Sequence, residues 1–248
     1  QVLGSGSDSF KYWDERRAGT ITKEEWTGVE GGIARSYGHC MTMGTASTMA
    51  VMVESLGLTL SGASAIPAAD SRKKVMAQLS GRRIVQMVKE NLTIDKVLTR
   101  EAFENAIITN AAVGGSSNFI IHLTAIAGRI GVDLKLEDFD NIGSKIPLLL
   151  NLMPSGKYLM EDFYYAGGLP VILNELKDKL HKNVITVTGK NHAENILGNT
   201  DCYNEEVIAK YNTPIQTEAG CVVVKGNLAI NGAVMKPSAA TPALLRHT

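Results

Sequence analysis

An α/β fold is predicted for residues 1–205, followed by a change to antiparallel β structure over 206–248. Three observations predict it. Segments with apolar residues at helical spacing recur through the first part, each bounded by a capping residue or a glycine. Between them stand two runs of strand length, IPLLLNL (Ile146 to Leu152) and NVITVTG (Asn183 to Gly189). The texture then changes: Gly220 to Ala229 alternates as a strand, Asn231-Gly232 signals a hairpin turn, and Ala233 to Lys236 resumes extended structure.

In chain order, a polar opening with scattered aromatic residues leads into a helix over Lys23 to Ser36. Ala46, Met49, Ala50, Val53 and Leu56 then recur at helical spacing, and Gly57 sits where a terminating residue belongs. GLTLSGASAIPAADS is a Gly/Ser/Pro-rich connection to a long helix from Asp70 to Asn91, with Asp70 or Ser71 as its N-cap. Thr99 caps the next helix, which stops at Gly114-Gly115. Ser116 or Ser117 caps another, with Phe119, Leu123, Ile126 and Ile130 on one face and Gly131 at its end. Pro170 fits the first turn of a helix reaching Leu180.

Composition narrows the function classes. Twenty-five basic and 25 acidic residues give zero formal charge, so there is no electrostatic case for nucleic acid or an acidic membrane surface. No apolar run reaches spanning length, and the opening lacks a basic-then-apolar signal pattern. Three widely spaced cysteines are a poor disulfide framework, which points to a reducing, cytoplasmic setting. No CxxC pair is present, so spacing alone carries no zinc or cluster signature.

The segment GHCMTMGTASTM, Gly38 to Met49, carries the strongest chemistry. It places Cys40 just before the expected first helical turn, where unpaired N–H groups and the helix dipole favour a thiolate, the form that binds metal or attacks carbon. Small neighbours leave room for a bulky group. The alternative is a free cysteine buried as a small hydrophobe. His39 is either a donor toward the site or a loop histidine. Met41, Met43, Met49 and Met52 fit helix packing better than soft-metal binding. Thr42, Thr45, Ser47 and Thr48 either face the site or bond back to the preceding turn.

Elsewhere, Ser64 and Ala65 lie in a loop able to face a small polar ligand. Gly114-Gly115-Ser116-Ser117-Asn118 reads equally as an anion cradle at a helix N-terminus and as a turn with a cap. His122, inside an apolar helix, is expected in the core. Lys157, Glu161 and Asp162 form a charged edge that lines a site or is merely solvated. Cys202, in a polar stretch, is expected to be incidental, and Cys221 a buried strand residue. His181, His192 and His247 have no partners at recognisable spacing.

GHCMTMGTASTM closely resembles the cysteine segment of the IlvD/Edd dehydratases, iron–sulfur enzymes that remove water from 2,3-dihydroxy acids. GASAIPAADS (Gly62 to Ser71), GGSSN (Gly114 to Asn118), MPSGKYLMEDFYYAGGLP (Met153 to Pro170) and KGNLAINGAVMKPSA (Lys225 to Ala239) resemble further segments of the family, in its order. The opening GSGSDSFKYWDERRAG and the run CMTMGTASTM are most similar to the sugar-acid branch, the arabinonate-, xylonate- and fuconate-type dehydratases.

The resemblance implies a layered helix–sheet domain over 1–205 that binds an iron–sulfur cluster, and the start of a C-terminal β-barrel domain over 206–248. It implies Cys40 as a cluster ligand (2Fe–2S favoured over 4Fe–4S), a Mg2+ ion, a small sugar acid as substrate and a homo-oligomer, dimer or tetramer. Ser64, Ser116 and Ser117 are the candidate substrate contacts. The family's other cluster cysteines and most magnesium ligands precede the matched region, and its base serine follows it. No catalytic base is therefore expected within this chain, which reads as an internal fragment, inactive alone, of a longer hydro-lyase. The same chemistry on a branched-chain dihydroxy acid is the first alternative, and a non-catalytic remnant with a scaffold role is the second. A cysteine-nucleophile enzyme would need a base, and His39 would point elsewhere from a helix start.

Overall fold

The structure is a computed structural model that describes residues 3–196, 200–218 and 220–240. Its helices are α1 (Ser7–Ala18), α2 (Lys23–Ile33), α3 (Thr45–Ser55), α4 (Ser71–Glu90), α5 (Ile94–Val97), α6 (Arg100–Val113), α7 (Asn118–Arg129), α8 (Leu136–Gly143), α9 (Met160–Tyr165), α10 (Leu169–Glu175) and α11 (His192–Ile196). Two strands, β1 (Val222–Gly226) and β2 (Ala229–Met235), pair antiparallel. The sum is a mixed architecture of many helices and one small sheet, compatible with α/β.

Helix ends follow local chemistry. Asp70 accepts from Arg72 N at 2.8 Å as the N-cap of α4, and Asn91 closes that helix at φ 50°. Thr99 caps α6 by accepting from Ala102 N, and Gly114 closes it in the left-handed region. The long helix α4 buries none of its residues and leaves Val75, Leu79, Ile84, Val85 and Val88 exposed.

The core is built on α6, which is buried on nearly all faces from Ala102 to Val113. Phe103, Phe119, Phe139 and Phe163 are its largest wholly buried side chains, and Phe119 meets Phe139 edge to face at 5.3 Å between centroids. Buried polar groups pair with one another: Ser55 Oγ lies 2.7 Å from Thr109 Oγ1, and Asn105 exchanges two bonds with the His181 backbone.

Several sequence expectations are corrected. Ile146 to Leu152 is extended and buried, yet joins neighbours only through single bridges, Leu148 to Gln216, Leu150 to Ile208 and Leu152 to Tyr158. Two of its amides are spent elsewhere: Leu149 N and Leu150 N both donate to Ala112 O at the end of α6, at 2.8 and 3.3 Å, which interrupts any continuous ladder. Asn183 to Gly189 turns back on itself, with Thr186 N bonded to Lys190 O at 2.9 Å, instead of running as a strand. The layered sheet expected for 1–205 is thus absent among the described residues. Two helices are also shorter than expected, α2 ending at Ile33 and α10 at Glu175.

The hairpin turn lies at Asn227-Leu228, and Asn231-Gly232 sits inside β2. The register shifts between Val224 and Gly226, and Gly232, at φ 96°, takes up the irregularity opposite it. A glycine-type bulge uses the positive φ that a tight hairpin turn also uses, so the dipeptide fits either role. The hairpin docks onto α8 through Lys225 and Glu137, and onto the end of α6 through Lys236 Nζ and Gly114 O at 2.6 Å.

A candidate active site around Cys40

Cys40 is exposed and lines a cleft of about 310 Å3. One wall is its own loop, from Arg35 to Met41; the facing wall is Ala65 to Ala69, with Lys73 from α4 and Met160 and Glu161 from α9. Helix α3 begins only at Thr45, so Cys40 lies four residues before the N-cap, Gly44. The sequence predicts it just before the first turn; it stands further out, beyond the reach of a helix dipole that fades within that turn.

Ser47 positions the loop. Its side chain is wholly buried, and Oγ donates to Thr42 O at 2.7 Å, with Cys40 O and His39 Nδ1 each at 3.2 Å. His39 Nδ1 lies 2.8 Å from Cys40 O, and the residue lines the cleft beside it. The loop is also tied to the segment before α9, by Met43 N to Met153 O, and to the first residue of α9, by Met160 N to Met41 O, both 2.8 Å. Ser47→Ala is expected to cost about 1–2 kcal/mol in urea unfolding and to speed amide exchange across His39 to Met43.

The facing wall is held by a buried acid. Glu54, on the last turn of α3, accepts from Gly62 N at 2.5 Å and from Ser64 N at 2.8 Å. Burial pushes its carboxyl above the usual carboxylate range, against the pull of these donors. From the other side, Lys73 Nζ donates to Ala63 O at 3.2 Å. Residues 62–64 are thereby clamped, and Ala65 follows directly onto the cleft wall. The buried face of α3 carries Ser47, Thr48, Val51, Met52, Glu54 and Ser55 rather than the predicted Ala46, Met49, Ala50 and Val53.

The remaining candidates disperse. Ser64 is buried beside Glu54 and does not line the cleft, although its neighbour Ala65 does. Ser116 and Ser117 stand away from the cleft lining, in a turn docked on the start of α3: Ser116 N donates to Thr48 Oγ1 at 2.9 Å and Asn118 Nδ2 to Thr45 Oγ1 at 2.7 Å. Gly115 is required in that turn, because a Cβ there would fall 2.0 Å from Asn110 Oδ1.

Glu161 lines the cleft 3.7 Å from Arg35, Asp162 accepts from Leu159 N at the start of α9, and the Lys157 amide donates to Asn151 Oδ1. Met43 and Met52 are core residues, whereas Met41 lines the cleft and accepts from Arg35 at 3.0 Å. His122 is exposed, contrary to expectation, and the buried histidine is His192. His181 does have a partner, Glu104 at 2.7 Å, too distant in sequence for spacing to reveal. His247 lies outside the described residues.

Cys202 is half-buried with Sγ 3.6 Å from Ile208 O, and Cys221 is buried just before β1. Burial pushes both thiols up, which suits inert packing residues. Among the described residues no three His, Cys, Asp or Glu side chains converge to hold a metal ion. No helix among them is long and apolar enough to cross a membrane.

Residues 3–195 match the sequence profile of the dihydroxy-acid/6-phosphogluconate dehydratase N-terminal region, and residues 206–248 match that of the C-terminal region. The chain belongs to this dehydratase family. Among its relatives, L-arabinonate dehydratase of Rhizobium leguminosarum bv. trifolii is 53% identical over 247 residues, 99% of this chain and 42% of that protein. L-arabonate dehydratase of Azospirillum brasilense is 50% identical over 248 residues, again 99% and 42%. Dihydroxy-acid dehydratase of Ignicoccus hospitalis is 44% identical over 243 residues, 96% of this chain and 44% of that protein. The chain thus spans well under half the length of the relatives it matches.

Proposed function

We propose that the full-length protein containing this chain is a hydro-lyase that converts a 2,3-dihydroxy aldonic acid into a 2-keto-3-deoxy acid. The observation that carries this reading is an exposed thiol, Cys40, on a loop fixed by a buried serine and facing a cleft of small-molecule size. Its support is the family membership together with the 53% and 50% identity to arabinonate-type relatives, against 44% to a dihydroxy-acid relative.

The donor chemistry at Cys40 suits a soft metal: an accessible thiol with no covalent partner fits one ligand position of an iron–sulfur cluster. Bound there, the cluster supplies Lewis acidity for departure of the C3 hydroxyl. Ser47 keeps the Cys40 backbone in place, and His39 lines the same cleft. The described residues do not fit magnesium, since no three His, Cys, Asp or Glu side chains converge among them. We assign residues 206–248 to the opening of the barrel domain, and expect a homo-oligomer and a cytoplasmic setting.

The test is anaerobic expression of the full-length protein and assay of 2-keto acid release from a panel of aldonic acids and 2,3-dihydroxyisovalerate. Turnover of a pentonate in preference to dihydroxyisovalerate is expected; the reverse preference assigns the branched-chain reaction. The 248-residue chain by itself is expected to release none, because one cysteine cannot hold a cluster.

A further inference from the structure

We infer that a single buried water molecule joins His192 to Glu54 behind the wall of the Cys40 cleft; the inference is independent of the reaction proposed above. His192 opens α11 and is 3% exposed, yet its Nε2 is buried with no hydrogen-bond partner among the described residues. Burial holds the ring below its ordinary pKa and so keeps it neutral, while its other polar contact is to the Ser55 backbone. Buried polar atoms left without a partner are rare in folded proteins, and an ordered water is a common way in which they are satisfied. Glu54 reaches the same place from the last turn of α3. Both residues line a cavity of about 20 Å3 between α3, α10 and α11.

That volume suits one water, which needs about 10–15 Å3, and leaves no room for an organic ligand. Cavities that stay dry are apolar, whereas this lining is mostly polar. Two of its groups are already committed to each other and to the backbone: Asn195 Nδ2 donates to Thr186 Oγ1 at 2.8 Å, and Thr186 Oγ1 donates to Lys190 O at 3.0 Å. Nε2 of His192 has no such bond, and each Glu54 oxygen accepts one amide, Gly62 N or Ser64 N, of the two bonds it can take. Water both donates and accepts. It therefore satisfies Nε2 in either tautomer, and Glu54 whether or not its carboxyl carries the proton. Because Glu54 clamps residues 62–64, the water extends that clamp from α3 to α11.

A crystal structure of the full-length protein at about 1.5 Å resolution tests this directly. One density peak is expected in the cavity, about 2.7–3.2 Å from both His192 Nε2 and a Glu54 oxygen. A cavity without density, in a map that shows other buried waters, overturns the inference. So does a peak that touches only one of the two residues, or one about 2.0–2.1 Å from Nε2, which is a metal distance. Hydrogen exchange read by mass spectrometry over residues 58–66 tests the link to the clamp. His192→Leu should remove the peak and speed exchange at Gly62 and Ser64 by about two- to tenfold, the range of one neutral hydrogen bond. His192→Gln, whose amide can bond the same water, should keep the peak and exchange close to the unaltered protein. Exchange unchanged in His192→Leu, or raised equally in both variants, overturns the link.

Discussion

Cys40→Ser in the full-length protein is expected to remove keto-acid release and the visible absorbance of an iron–sulfur cluster together. A serine oxygen is a harder and far less acidic donor than a cysteine sulfur, so it replaces a thiolate ligand poorly. The same exchange at the other cysteines separates a ligand effect from a general thiol effect. Cys202→Ser should keep iron and activity, since that sulfur makes only a long contact to Ile208 O. Cys221→Ser should keep iron as well but lose about 1–2 kcal/mol of stability, because it buries a hydroxyl where a weakly polar thiol packed. Iron and acid-labile sulfide content of the three variants is the readout. Equal iron in Cys40→Ser and the unaltered protein would remove Cys40 from the ligand set.

Glu54→Ala is expected to cost about 2–6 kcal/mol, because two inward-facing amides, Gly62 N and Ser64 N, lose their acceptor at about 1–3 kcal/mol each. The loop they anchor forms the cleft wall, so ligand affinity should fall with stability. The pH dependence is a sharper signature. Burial holds the Glu54 carboxyl above its ordinary value, so the folded protein binds that proton more tightly than the unfolded chain. Its contribution to stability is full below the unfolded pKa and is lost as pH rises through the folded one. Urea midpoints of the unaltered protein should therefore fall over that window relative to Glu54→Gln, which cannot titrate. Parallel curves for the two proteins would contradict the account.

Much of the helical frame was legible because its signals are local. Asp70 and Thr99 cap within three residues of their own position, and Asn91 and Gly114 close helices by backbone conformation alone. The hairpin of β1 and β2 was legible apart from its turn, but the two strand-length runs in 1–205 were not, because pairing is decided by distant partners: Leu148 and Leu150 found Gln216 and Ile208, and Leu149 gave its amide to Ala112. The buried face of α3 was misjudged for a related reason. Ser47, Thr48, Glu54 and Ser55 look solvent-facing until their partners, Thr42, Ser116, Gly62 and Thr109, are brought in from other segments.

At the site, Cys40 stood out through its small, hydroxyl-rich neighbours. Lys73 carried no signal, one basic residue among several in SRKK. Glu54 did carry one, a lone acid inside the apolar stretch VMVESLGL. A carboxylate there must find donors, and it does in Gly62 N and Ser64 N, while burial pushes its pKa up.

The proposed dehydration is tested most directly by the product formed from a pentonate in deuterated water by anaerobically prepared full-length protein. Loss of the C2 proton and the C3 hydroxyl gives an enol, and its tautomerisation to the ketone takes one hydrogen at C3 from solvent. The account predicts a 2-keto-3-deoxy acid carrying one deuterium at C3, seen by NMR. A product that keeps its C3 hydroxyl, or a keto acid without deuterium at C3, would contradict it.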